Sequence, residues 1–177
     1  MSAASLVIAG WMSVILVFQA PDFSGQWTAD AAAPAAAPLA TGTPAPPARG
    51  DMGSGWGSPL TITQDARQLV VEQPLFSRYD LQSPLRFVYA LDGSETRNTV
   101  MTGHTTQVRR SRTAWAGQSL RITTIYPAVD PASGQAFITE VTHTLSLESP
   151  ATLVIEVTRG GALGGLATTT RTIYRKG

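Results

Sequence analysis

Cysteine is absent from this 177-residue chain, which removes disulfides, thiolate metal sites and thiol catalysis at once. Charge is scarce and balanced, with 13 basic against 12 acidic side chains and a formal net charge of +1. Recognition of DNA or RNA calls for a basic face or stripe, so no nucleic-acid partner is expected. Histidine occurs only as His104 and His143, and neither has partner ligands at metal-site spacing, so no metal or cofactor is expected. Gly-x-Ser-x-Gly is missing. The glycines between Gly160 and Gly165 lack the Lys and Ser/Thr of a phosphate loop. Asp65, Asp92 and Asp130 fall in turns, where Asp bonds nearby backbone. Glu72, Glu95, Glu140, Glu148 and Glu156 mostly take outward parity or strand ends. No acid/base pair can be assembled from these residues, and catalysis is not expected.

What remains is an apolar content of 43%, enough for one domain with a core. Ser5 to Phe18 is an apolar run followed by Gln19-Ala20, which reads as a secretory signal over residues 1–20. If uncleaved, that segment would be the only membrane contact. Either way the domain, residues 21–177, is expected outside the cytoplasm, periplasmic or secreted. Residues 31–57 are rich in Pro, Ala and Gly. Proline removes backbone donors and restricts the residue before it, so a long flexible loop is expected. Its end, Gly53 to Ser58, either folds back over the barrel mouth or, the reading preferred, is a solvent-exposed glycine loop anchored by Trp56.

The rest alternates with period two between compact turns, the pattern of consecutive antiparallel strands. Ser119 to Tyr126, Gln135 to Leu147 and Thr152 to Thr158 are separated by Asp130-Pro131-Ala132-Ser133-Gly134 and Glu148-Ser149-Pro150. Leu85, Phe87, Tyr89 and Leu91 share one face before Asp92-Gly93, a tight hairpin turn needing positive φ. Further strands are expected over 22–28, 60–64, 69–72, 95–102, 105–115 and 167–175. No helix is expected after residue 20. The expected fold is all-β: an antiparallel up-and-down meander β-barrel of about 8–10 strands, closed so that no edge is exposed.

Asp22-Phe23-Ser24-Gly25-Gln26-Trp27 resembles the opening of lipocalin-like (calycin-type) proteins, whose first strand carries Gly-x-Trp. More narrowly, the chain resembles small exported bacterial barrels of that shape and unassigned activity. The shared motifs are Gly55 to Asp65, Leu91 to Glu95 and Trp115-x-Gly-x-x-Leu120. The resemblance implies a barrel with room for a small molecule. It also implies a late Arg, here Arg171 or Arg175, stacked on Trp27 at the closed end. The terminal Arg171 to Lys176 is similar to the last strand of fatty-acid-binding proteins, where an Arg and a Tyr two residues later hold a carboxylate. Arg171 and Tyr174 are three apart and face opposite sides, so that clamp is not carried over.

Parity places Tyr89, Trp115, Tyr126, His143 and Tyr174 inside, and Arg109 with them if Trp115 is inward. An aromatic wall with a few polar anchors is how small-molecule pockets are built. These six are the candidate ligand-binding residues, and a small apolar or amphipathic molecule is the expected partner. The competing expectation is a filled barrel serving as a structural or interaction module of the cell envelope.

Overall fold

β-Branched and aromatic residues at alternate positions make each strand two-faced, and ten such strands pair side by side. The computed structural model describes residues 20–30, 56–74, 84–102, 105–129, 133–160 and 167–177. The strands are β1 (Gly25–Ala29), β2 (Leu60–Gln64), β3 (Gln68–Gln73), β4 (Leu85–Ala90) and β5 (Thr96–Thr102), then β6 (Thr105–Ala116), β7 (Ser119–Val129), β8 (Ala136–Ser149), β9 (Thr152–Arg159) and β10 (Thr168–Lys176). All pairings are antiparallel. The order β4-β3-β2-β1-β10-β9-β8-β7-β6-β5 gives an up-and-down, nearly closed barrel, consistent with a lipocalin-like fold. The expectations for residues 1–19 and 31–55, for His104 and for the glycines after Gly160 fall outside the described residues.

The first and last strands meet within the sheet, because β1 pairs with β10. The break lies instead between β4 and β5, although Asp92-Gly93 joins them with Gly93 at φ +82°. This corrects the expectation of a laddered hairpin there, and side chains take the place of the missing rungs. The Asn98 carboxamide accepts from Val88 N–H at 2.7 Å and donates to Val88 C=O at 3.0 Å, a pairing that imitates a peptide group. One strand further on, the Thr113 hydroxyl donates to the Ala90 carbonyl. The seam is therefore stitched by an amide and a hydroxyl.

Antiparallel alternation gathers the short β2–β3, β4–β5, β6–β7 and β8–β9 turns at one end. Phe23 and Lys176 lie at the same end, which is closed by aromatic packing. Phe23 stacks on Trp115 with ring centroids 6.1 Å apart, and Trp27 Nε1–H donates to the Phe23 carbonyl at 2.9 Å. Lys176, not Arg171 or Arg175, supplies the cation over the Trp27 ring, at 5.4 Å. Register decides this. Lys176 is the direct partner of Trp27, whereas Arg171 turns outward to Glu148 and Glu156 and Arg175 to Asp30. The glycine of Gly-x-Trp has a steric role in this contact. A Cβ at Gly25 would sit 2.6 Å from Lys176 Cε, so a side chain there would push the lysine off the ring.

Above this floor the core is aliphatic, with Leu60, Ile62, Leu69, Val71, Leu120, Ile122, Leu145 and Leu153 all buried. β6 to β8 run to 12, 11 and 14 residues against 5 or 6 for β1 to β4. At about 3.3 Å per residue these three strands outreach the other wall by roughly 20 Å.

Candidate functional site

Between the aliphatic core and the end with the long connections, the interior turns aromatic and polar. Its centre comes from outside the strands. Trp56, in the β1–β2 connection, is only 6% exposed. Its ring stacks on that of His143, centroids 4.6 Å apart and planes 13° from parallel, and packs tilted against Tyr89 at 5.8 Å. The Tyr174 hydroxyl donates to the Trp56 carbonyl at 2.8 Å and approaches the Gly57 carbonyl at 3.3 Å. Three inward residues of β4, β8 and β10 thus converge on Trp56, two on its ring and one on its carbonyl. The expected solvent-exposed loop with an anchoring Trp is corrected accordingly: that Trp belongs to the core, because its apolar ring is too large to leave in water when the barrel offers a slot.

A second group sits on β6 and β7. The Arg109 guanidinium lies over the Tyr126 ring, 4.5 Å from its centroid. One inward step away, the Ser111 and Thr124 hydroxyls bond each other at 2.9 Å. On the seam side Arg109 is the register partner of Asn98. Of the six residues predicted from sequence, Tyr89, His143 and Tyr174 meet at Trp56, and Arg109 and Tyr126 meet each other. Trp115 does not join them, because its place is at the closed end against Phe23.

Burial sets the protonation of the phenols. It pushes the Tyr89 hydroxyl above the ordinary tyrosine range, with the neighbouring Tyr126 adding to the effect. A hydrogen bond with Trp56 and the Arg109 charge pull weakly the other way. Burial likewise pushes Tyr174 up to about 12. Both phenols are neutral donors at physiological pH. The raised value at Tyr174 means that the fold holds the neutral form. Its contribution to stability is complete below about pH 10, the ordinary tyrosine value, and is lost as pH rises through about 12. Urea midpoints between pH 8 and 12 should therefore fall more steeply for the wild type than for Tyr174→Phe. At pH 8 the variant should be less stable by about 1 kcal/mol, the usual worth of one hydrogen bond. Equal slopes for the two proteins would refute the assignment.

Sequence reasoning missed Trp56 and the seam role of Asn98. Both left a signal: a large aromatic inside a glycine run, and an asparagine within a β-branched strand, where its propensity is poor. Chemically, the site offers one cation, neutral phenol and hydroxyl donors and aromatic faces. Among the described residues no three His, Asp or Glu side chains are grouped to hold a metal ion. No known protein family, curated protein or solved structure matches the chain.

Proposed function

We propose that this chain is an exported lipocalin-like barrel that binds a small apolar or amphipathic molecule without catalysis. One observation carries the reading. Tyr89 and His143 pack on the Trp56 indole and Tyr174 holds the Trp56 carbonyl, so the interior accepts a planar apolar body that the strands themselves do not supply. The polar atoms around that slot are few and placed as anchors, the make-up of small-molecule sites. Export rests on the apolar run from Ser5 to Phe18.

The second reading, an interaction module of the cell envelope, draws on a different surface. Val108, Val129 and Ile138 are 50%, 62% and 69% exposed on the outward face of the long strands, where apolar residues suit a protein contact. Native mass spectrometry of the protein from its own exported fraction separates the two. A retained small-molecule mass, lost on Tyr126→Ala, is the expected result. A clean apo mass with no uptake from a lipid and metabolite extract would reject binding in favour of the module.

A further inference from the structure

We infer that Arg109 is the anchor for an anionic group, so that the ligand of the barrel is an amphipathic anion: a sulfonate, carboxylate or similar group on an aromatic or other apolar body. This rests on the binding reading above and narrows it to a charge type and a residue.

Arg109 is 9% exposed, and its Nε is buried with no hydrogen-bond partner. Arginine keeps its charge in proteins, and a buried charge without a counter-ion is costly. The protein offers none among the described residues. The buried polar side chains are Asn98, Arg109, Ser111, Thr113, Thr124, His143 and Thr152, with no carboxylate among them. The described ion pairs involve Arg86, Arg97, Arg112, Arg171 and Arg175 but not Arg109. Tyr89 cannot supply a tyrosinate either, because burial holds it neutral.

The neighbours of Arg109 are arranged as a receptor would require. The Tyr126 ring presents its π-face to one side of the guanidinium, which orients the planar fork and offsets part of its desolvation. The amide of Asn98 is committed to Val88 across the seam. Of the Ser111 and Thr124 hydroxyls, one donates to the other, which leaves one O–H free to donate to an incoming oxygen. A forked cation, a hydroxyl donor and an aromatic face together bind an oxyanion attached to an apolar body.

Two fluorescent probes test this on the full chain: 8-anilinonaphthalene-1-sulfonate, and N-phenyl-1-naphthylamine, the same ring system without the sulfonate. The wild type should bind the sulfonate at least about tenfold more tightly, the scale of one charge-assisted contact. Arg109→Met should abolish that preference while leaving the affinity for the neutral probe within about threefold, and Arg109→Lys should keep part of it. Arg112→Gln, on the outward face, should leave both affinities unchanged. Equal binding of the two probes by the wild type, with no change in Arg109→Met, overturns the anion site and leaves barrel binding standing. Failure of both probes to bind defeats the binding reading and this inference with it. Loss of folded circular dichroism in Arg109→Met would make the arginine a structural cation and overturn the inference by itself.

Discussion

Trp56→Ala is expected to destabilise the barrel by roughly 3–5 kcal/mol, the scale for deleting a buried aromatic side chain. The reason is where the indole sits. It is buried against His143 and Tyr89, and the strands around it are fixed by their own ladders and cannot collapse into the gap. The loss should appear as a lower urea midpoint with an unchanged slope. The same cavity gives a second readout. Added indole should raise the midpoint of Trp56→Ala and leave the wild type unmoved, since a ligand that binds only the folded state stabilises it by mass action. A loss below about 1 kcal/mol would mean that Trp56 is not packed as described.

The second large effect is expected at the seam. Asn98→Leu keeps the approximate volume but removes both polar atoms, leaving Val88 N–H and C=O without the partners they now have at 2.7 and 3.0 Å. An unsatisfied buried backbone group costs about 1–3 kcal/mol. Two half-buried ones should together cost about 2–3 kcal/mol, with the Val88 amide exchanging faster with solvent than its neighbours on β4. Opening the seam also bares two strand edges, which template pairing between chains. The variant should therefore self-associate at concentrations where the wild type does not. Wild-type exchange at Val88, with a midpoint unshifted, would show that β4 and β5 are joined some other way.

These two residues mark the boundary between what could be read from the chain and what could not. The strands were legible because period-two alternation and turn chemistry are local. Leu85 to Leu91 declares both its conformation and its inward face, and β4 forms over Leu85–Ala90, one residue shorter. The inward assignment of Tyr89, His143 and Tyr174 followed from the same parity, and all three are buried. Trp56 was not legible in this way. Its environment is glycine-rich and without period, and the slot that takes it is built from β4, β8 and β10, as far as 118 residues away. The cation on Trp27 was missed for a related reason. Arg171, Arg175 and Lys176 lie within six positions of one another, and only the β1–β10 register selects Lys176.

The sequence by itself determined the all-β class, the meander and the parity of the inward wall, because each is written in residues adjacent along the chain. Tertiary structure alone decided where the barrel fails to ladder, which side chains repair the gap, what fills the interior and that the inward Arg109 lies on the Tyr126 ring. Those are properties of register and of distance across the barrel. Ladders fix both only when all ten strands are in place: a shift of one residue in any of them would exchange its inward and outward sets.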